Sequence, residues 1–206
     1  MALKKESPFN LEQQQDNVDN KIIVALEKIT EAFRVLQWQE AQEHKISPIQ
    51  LQILIFIQHH TTDKCKVGYL AKELNVTKAT VSDSVKTLLK KELLSKLTDQ
   101  NDTRSFTLSL TKNGVGLVQK IEHYTDEIKL PLSNLNLLKK EVLFDSLTEL
   151  IYKLQQNGII TIQRMCYTCD HYEGNKSSSH YCNLMKTKLK QEKLRLDCPE
   201  HLKVVR

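Results

Sequence analysis

Four of the five cysteines lie close together near the C-terminus, in a spacing that suits metal binding. Cys166 and Cys169 form a C-x2-C pair, and Cys182 and Cys198 follow after 12 and 15 intervening residues. A C-x2-C turn presents two thiolates on one side of the chain, and two more complete a tetrahedral set of ligands. The spacing therefore predicts a metal site formed by these four residues.

Four thiolates suit more than one metal group. Zinc is the expected occupant, and an iron–sulfur cluster is the alternative, because Cys198-Pro199 resembles the Cys-Pro end of ferredoxin-type cluster motifs. Thiol–disulfide switching is a third interpretation. His180 and His201 are close enough in sequence to replace a cysteine as a ligand. Cys65 stands apart, and we expect it to be a lone thiol.

The segment that carries these cysteines, residues 159–206, reads as a small module of its own. A helix over 183–196 is expected to bring Cys182 and Cys198 back toward the C-x2-C pair. The segment has few large apolar residues, so a bound metal would supply much of its folding free energy, on the order of 10 kcal/mol for structural zinc. Its net charge is +4.

A second group of residues suits nucleic-acid binding. Apolar residues at helical spacing in 67–74 are followed by the short turn Asn75–Val76–Thr77 and by a second helix from about Lys78 to Lys91. This is the pattern of a helix-turn-helix. The second helix has an apolar face for the core and an opposite face of small or polar residues. The core face carries Val81, Val85, Leu88 and Leu89, and the outer face carries Lys78, Ala79, Ser82, Asp83 and Lys86.

Two short strands are predicted directly after the helix-turn-helix. Residues 93–98 and 105–110 alternate between apolar and polar side chains, and the polar segment 99–104 joins them. Thr111 is a suitable N-cap for a following helix. A helix-turn-helix followed by a β-hairpin is a winged helix, so the fold class is mainly α, with an α+β winged helix.

The flanking segments predict further helices. Residues 46–60 include a β-branched run that permits a strand, but Ser47 followed by Pro48 favours a helix. Residues 17–43 and 135–155 read as long amphipathic helices. Their apolar faces suit either packing within one chain or dimerisation.

Charge and composition narrow the function classes. Residues 64–96 carry a net charge of +5, whereas residues 1–63 and 97–158 carry −3 and −1. Such a local excess is expected where phosphates bind. The scarcity of Gly (5) and Pro (4) argues against an all-β fold. No apolar run approaches the roughly 20 residues of a membrane span, and no secretory signal is visible. We therefore expect a cytoplasmic protein without a membrane partner.

Residues 47–120 resemble the MarR family of bacterial transcription regulators. The resemblance lies in SPIQLQIL, in YLAKELNVTKATVSDSVKTLLKKELL and above all in DTRSFTLSLTKNG, which is similar to the family's Asp-x-Arg…Leu-x-Leu-Thr…Gly wing motif. It extends over about residues 18–157. It implies a homodimer formed through the N- and C-terminal helices and a small-molecule effector of the kind that many members bind. Residues 1–16 are then an N-terminal tail, and 17–158 form the winged-helix and dimerisation domain.

The predicted DNA contacts follow from the winged helix and this resemblance. The second helix is expected to enter the major groove, and the wing tip to enter the minor groove with Arg104. Compared with many relatives, the order of the acidic and basic residues at Asp83 and Lys86 is inverted. Asp83 can accept a hydrogen bond from a cytosine amino group or pair with Lys86. The predicted DNA-binding residues are Thr77, Lys78, Thr80, Ser82, Asp83, Lys86, Lys96 and Arg104.

The sequence thus predicts a homodimeric, sequence-specific DNA-binding regulator whose cysteine-ligated metal is structural or sensory. One alternative is a redox sensor with an iron–sulfur cluster at the same cysteines. Others are a protein-binding scaffold and a thiol enzyme. We expect no enzymatic activity, because the sequence has no nucleotide-binding glycine loop, no H-E-x-x-H and no Gly-x-Ser-x-Gly motif.

Overall fold

The computed structural model describes residues 7–15, 17–98, 106–175 and 179–204. Within these ranges the chain is mainly helical. The α-helices are α1 (Leu11–Gln15), α2 (Val18–Glu43), α3 (Pro48–His59), α4 (Val67–Glu73), α5 (Lys78–Lys90), α6 (Lys112–Ile121), α7 (Asp126–Ser133) and α8 (Leu137–Gln156). The short helix α1 lies in the segment that the sequence analysis treats as a tail.

Two small antiparallel sheets accompany the helices. Strands β1 (Leu94–Thr98) and β2 (Phe106–Leu110) pair in the register that places Leu94 opposite Leu110. A three-stranded sheet near the C-terminus has the order β3-β4-β5. Its strands are β3 (Tyr172–Gly174), β4 (His180–Cys182) and β5 (Thr187–Lys188). The predicted winged helix is confirmed, because the α4–α5 pair is followed directly by the β1–β2 hairpin.

Local capping explains where the helices begin. Ser47 and Gln50 form a reciprocal capping box at the start of α3, and Pro48 occupies the first turn. The helix interpretation of residues 46–60 is therefore confirmed over the strand. The Thr111 side chain accepts a hydrogen bond from the Gly114 backbone N–H at the start of α6, which confirms the predicted cap.

The main hydrophobic core lies under the winged helix. Apolar residues of α3, α4, α5, β2 and α6 bury their side chains against one another. Three of the four residues predicted for the inner face of α5 are fully buried, and Leu89 is partly buried. The core centres on Leu51, Ile53, Leu54, Leu70, Val81, Leu88, Leu108 and Ile121. Packing of this kind fixes the outer face of α5 relative to the β1–β2 wing.

The two long helices leave much of their apolar surface exposed in the single chain. On α2 the exposed apolar side chains include Val18, Ile22, Ile29, Phe33 and Trp38, and on α8 they include Leu137, Leu138, Val142, Leu143 and Leu150. Many exposed apolar side chains on one helix are often found where a protein forms an interface. Across the described residues, no helix combines the length and the apolar character needed to cross a membrane.

The C-terminal segment differs from the prediction in one respect. The expected helix over 183–196 is wrong: this stretch contains a turn, strand β5 and a short 3₁₀ helix at Gln191–Lys193. Leu184, Leu189 and Leu194 recur every five residues, a period that no α-helical face has. Leu194 instead packs with Met165 and Tyr167 in a second small core that also contacts α8.

Candidate nucleic-acid interface and cysteine cavity

The N-terminus of α5 presents a cluster of polar side chains to solvent. Thr77, Lys78 and Thr80 are exposed, and Ser82 is partly exposed. Thr77 caps the helix: its hydroxyl oxygen accepts from the Thr80 backbone N–H at 3.1 Å and lies 2.8 Å from the Thr80 hydroxyl. Backbone N–H groups at a helix N-terminus favour a nearby phosphate. These four predicted residues therefore share one open surface.

The acidic and basic residues of the α5 outer face pair with each other. The Lys86 ammonium donates to the Asp83 carboxylate at 3.0 Å, and both side chains are highly exposed. An exposed pair of this kind contributes at most about 1 kcal/mol. Pairing with Lys86 was one of the two roles predicted for Asp83, and it is present in the free protein. Breaking this exposed ion pair requires little free energy.

The wing lies next to this helix. Lys96 is exposed on β1, and its ammonium sits 4.5 Å from the centre of the Phe106 ring on β2. This cation–π contact holds the charge over the face of the hairpin. Arg104, the predicted minor-groove residue, lies outside the described residues.

A close backbone contact joins the wing to α6. A Cβ atom at Gly114 would lie only 2.1 Å from the Leu93 carbonyl oxygen. The same oxygen accepts a hydrogen bond from the Thr111 backbone N–H at 3.1 Å. Gly114 is the glycine of the quoted wing motif, and the structure explains it: only glycine lets α6 approach the base of β1 so closely.

The four cysteines of the C-terminal segment line a single cavity of about 50 Å³. Cys166 begins the short 3₁₀ helix Cys166–Thr168, and Cys169 directly follows that helix. Cys182 is the last residue of β4, and Cys198 directly follows Asp197. The Arg195 backbone N–H donates to the Cys166 sulfur at 3.3 Å, and its guanidinium lies 3.6 Å from the Cys198 sulfur. The structure thus brings together all four residues that the spacing selects.

The cysteine side chains are not arranged as ligands of a metal ion. Within the part of the chain that the structure describes, no group of three or more His, Cys, Asp or Glu side chains has such an arrangement. His171 joins the four cysteines in the cavity wall. The two histidines considered as substitute ligands contact other groups: His180 Nδ1 lies 2.7 Å from the Tyr172 hydroxyl, and His201 Nε2 lies 3.0 Å from the Thr168 hydroxyl.

Burial shapes the chemistry of these thiols. It raises the pKa of Cys166, and the neighbouring thiol groups of Cys198, Cys169 and Cys182 act in the same direction, partly offset by the Arg195 backbone N–H. Cys65 lies apart in the main core, where its thiol donates to the Thr61 carbonyl oxygen at 3.4 Å. Burial raises the pKa of Cys65 as well. Its interpretation as a lone thiol agrees with this position.

A buried arginine connects the C-terminal segment to the helix-turn-helix. The Arg164 side chain is 6% exposed and forms paired hydrogen bonds with two carboxylates. Its Nη1 and Nη2 donate to Glu73 on α4 at 2.6 and 3.0 Å, and its Nε and Nη2 donate to Asp197 at 2.7 Å each. The Tyr69 hydroxyl accepts from Nη1 at 2.9 Å. His60 completes this cluster, with its Nε2 3.0 Å from Asp197.

Hydrogen bonds within the cluster oppose the effect of burial on Arg164 and Asp197. Burial alone would lower the pKa of Arg164, but its hydrogen bonds with Asp197 and Glu73 outweigh burial and raise the pKa above the ordinary value. Burial would likewise raise the pKa of Asp197, but hydrogen bonds from Arg164 and His60 lower it. This cluster was not predicted from the sequence. The one local signal is that Arg164 and Asp197 lie two and one residues before proposed metal ligands.

A helix-turn-helix with an exposed polar recognition helix and an adjacent wing defines a winged-helix protein. Comparison with known families agrees: residues 44–105 match the model of the MarR family. These residues are therefore similar to the MarR family, and the structure gives them the fold of a winged helix. No curated protein matches the sequence.

Solved structures of one MarR-type protein are similar to this chain. S. aureus MepR in a DNA-binding conformation is 27% identical, with a TM-score of 0.57, and the match covers 65% of this chain and 98% of MepR. The S. aureus MepR–DNA complex is 26% identical, with a TM-score of 0.56, and covers 64% and 96%. The similarity therefore spans nearly all of MepR.

Proposed function

We propose that this protein is a transcription regulator that binds double-stranded DNA in a sequence-specific manner. The observation that carries the proposal is the exposed polar face of α5, which lies beside the wing in the segment of highest positive charge. An α-helix fits the major groove of B-DNA, and its outward side chains reach the base edges. The MepR–DNA complex supports this assignment through its similarity to the chain.

The proposed contacts divide into two kinds. Lys78 and Lys96 are exposed and would bind phosphates or guanine. Thr77, Thr80 and Ser82 would hold the helix N-terminus at the DNA backbone. Asp83 and Lys86 would open their surface pair to contact bases, and Arg104 would enter the minor groove.

We propose that the active form is a homodimer. The exposed apolar surfaces of α2 and α8 support this, since a single chain would leave side chains such as Ile22, Ile29 and Val142 half in water. A dimer places two recognition helices at successive turns of the groove. The small-molecule effector implied by the family resemblance would suit the cleft between α2 and α7, which contains Ile29, Val35 and Ile128.

We propose that residues 159–206 form a separate module in which Cys166, Cys169, Cys182 and Cys198 bind a metal group. Their convergence on one cavity supports this proposal. Zinc and an iron–sulfur cluster are the two candidates. The short 3₁₀ and β elements of the module bury little apolar surface, so a bound metal group would contribute much of its stability.

Fluorescence anisotropy with a labelled duplex of random sequence tests the DNA-binding proposal. We expect binding at low salt and a steep loss of affinity as salt rises, because each phosphate contact releases counterions. Selection from a random duplex pool should then enrich one sequence. Binding that is absent at low salt, or that does not respond to salt, would contradict the proposal.

Two lysine substitutions test whether α5 is the surface that contacts DNA. Lys78→Ala should reduce the slope of log affinity against log salt by about one per protomer, since one phosphate contact is lost. Lys120→Ala on α6 removes the same charge outside the recognition helix and should leave the slope nearly unchanged. Equal effects of the two substitutions would show that α5 is not the contact surface.

A further inference from the structure

Helix α4 ends in a Schellman motif, and this motif sets the turn of the helix-turn-helix. The Val76 backbone N–H donates to the Ala71 carbonyl oxygen at 2.9 Å. The Asn75 backbone N–H donates to the Lys72 carbonyl oxygen at 3.3 Å. Asn75 has a φ of +52°, in the left-handed region that such motifs use. Because α5 begins at Lys78, the end of α4 determines where the recognition helix starts.

Helix α4 has little capacity to fix this end by itself. It has seven residues, of which Leu70 and Ala71 are buried. A helix this short is marginal in water and depends on tertiary contacts. Its last residue is Glu73, and a carboxylate at a helix C-terminus is repelled by the partial negative charge of the helix dipole. A hydrogen-bond donor and a cation from elsewhere in the chain would therefore stabilise the C-terminal end of α4.

The C-terminal segment supplies both groups. The Thr161 hydroxyl donates to the Lys72 carbonyl oxygen, which belongs to the last turn of α4. The Arg164 guanidinium donates to the Glu73 carboxylate at 2.6 and 3.0 Å. These contacts satisfy a carbonyl group of the helix end and place positive charge at the negative pole of the helix. Side chains that lie 89 and 91 residues away in the sequence thus cap α4.

The Arg164 side chain is itself held in one geometry. Its Nε and Nη2 donate to the Asp197 carboxylate at 2.7 Å each, and the Tyr69 hydroxyl accepts from its Nη1 at 2.9 Å. The guanidinium also lies 5.6 Å from the centre of the Phe56 ring on α3. A planar fork that is bound to two carboxylates and faces an aromatic ring has little freedom to move. Arg164 therefore fixes the end of α4 relative to both α3 and the C-terminal segment.

We propose that Arg164 is a positioning residue for sequence-specific DNA binding. This rests on the DNA-binding surface of the proposed function and adds a residue that lies outside that surface. By capping α4, Arg164 and Thr161 fix the Schellman motif and hence the start of α5. Hydrogen bonds to base edges depend on the placement of α5, whereas non-specific binding depends mainly on charge. Loss of the cap therefore lowers the preference for one sequence and leaves the affinity for random DNA unchanged.

Arg164→Lys in the full-length protein tests this role without changing the net charge. An ammonium group cannot reproduce the paired hydrogen bonds of a guanidinium to two carboxylates. The measured quantity is the ratio of the affinities for the selected duplex and for a duplex of random sequence. We expect Arg164→Lys to lower this ratio by about 2- to 30-fold, the usual effect of substitutions along a network that leads to a binding site. The salt dependence on random DNA should not change. Arg34→Lys, the same substitution at an exposed position of α2, should alter neither quantity.

Thr161→Val tests the same cap without disturbing a buried charge. It removes the hydroxyl that donates to the Lys72 carbonyl oxygen and keeps the shape of the side chain. We expect it to lower the affinity ratio by about 2- to 10-fold, the effect of one lost hydrogen bond. Circular dichroism reports whether each variant folds. An unchanged ratio in folded Arg164→Lys would overturn the positioning role. If Arg164→Lys does not fold, an unchanged ratio in Thr161→Val would overturn it.

Hydrogen exchange measures the step between the cap and DNA binding. We expect the amides of Asn75 and Val76 to exchange faster in Arg164→Lys than in the wild type, because they close the Schellman motif. The amide of Leu93, which donates to the Leu88 carbonyl oxygen beyond the other end of α5, should exchange as before. Unchanged exchange at Asn75 and Val76 would contradict the inference. A wild-type affinity ratio of one would instead overturn sequence-specific binding itself, and the positioning role with it.

Discussion

The contact between Gly114 and the base of the wing yields a sharp prediction about stability. A methyl group at this position meets a carbonyl oxygen at 2.1 Å, more than 1 Å closer than an ordinary contact of about 3.4 Å. The oxygen belongs to the backbone of Leu93, so no side chain can rotate to relieve the clash. In addition, the Leu110 side chain lies 3.1 Å from the added atom. Gly114→Ala must therefore push α6 away from β1.

The magnitude follows from three contributions. Overpacking of a tight site costs about 1–3 kcal/mol, and loss of the hydrogen bond from Thr111 to Leu93 adds about 1 kcal/mol. Replacing glycine with alanine in a helix returns about 0.8–1 kcal/mol. We expect a net loss of about 1–3 kcal/mol in the free energy of unfolding. Gly116→Ala, two residues along the same helix, meets no atom within 4 Å and should stabilise by up to about 1 kcal/mol.

Urea unfolding at one fixed protein concentration measures both variants, followed by circular dichroism and by the single tryptophan, Trp38. We expect the midpoints to move in opposite directions with unchanged m-values. A Gly114→Ala midpoint within error of the wild type would refute the reasoning. So would a destabilised Gly116→Ala of the same size, since that would show a general intolerance of α6 to alanine.

Three further predictions concern the other surfaces. Ile29→Glu places a charge on the exposed apolar surface of α2, so we expect analytical sedimentation to show a monomer in place of the proposed dimer. The control Ile29→Val should remain a dimer. A dimeric Ile29→Glu would show that this surface is not the dimer interface. Asp83→Asn should strengthen binding to DNA of random sequence by about 1 kcal/mol, roughly fivefold in affinity. The substitution removes a negative charge from the proposed phosphate-binding surface and releases Lys86 from its ion pair. Weaker binding to random DNA would contradict this prediction. Cys65 is 1% exposed, and burial raises the pKa of its thiol above the value of a free cysteine, so the thiol is neutral at neutral pH. Iodoacetamide should therefore label Cys65 slowly in the folded protein and quickly in urea. Fast labelling of the folded protein would show that the thiol is accessible.

The winged helix could be predicted because each of its elements has a local signature. The apolar spacing on α5, the Thr77 and Thr111 caps and the alternation in β2 each act within a few residues. The wing glycine is likewise explained by one close contact, at Leu93. Most of the α5 residues singled out for DNA share one exposed face because a helix with one buried side necessarily presents the other side to solvent.

The C-terminal module could be predicted only in part. Cysteine spacing is a local signal, and the four residues do converge on one cavity. The backbone between Cys182 and Cys198 differs from the predicted helix. A short irregular segment can pack Leu194 against Met165 and Tyr167 without the regular spacing of apolar residues that marks a helix. The predicted helix failed for this reason. Leucines that reach one small core from turns and 3₁₀ segments need no helical spacing.

The Arg164 cluster shows why charge counts by segment are incomplete. Glu73 counts against the positive charge of residues 64–96, yet its partner lies 91 residues away in the module. Arg164 neutralises that carboxylate inside the protein, where the ion pair is shielded from water and salt. Glu73 therefore does not offset the charge of the exposed lysines around α5. The pairing also joins the C-terminal segment, through Arg164, to α4 of the helix-turn-helix.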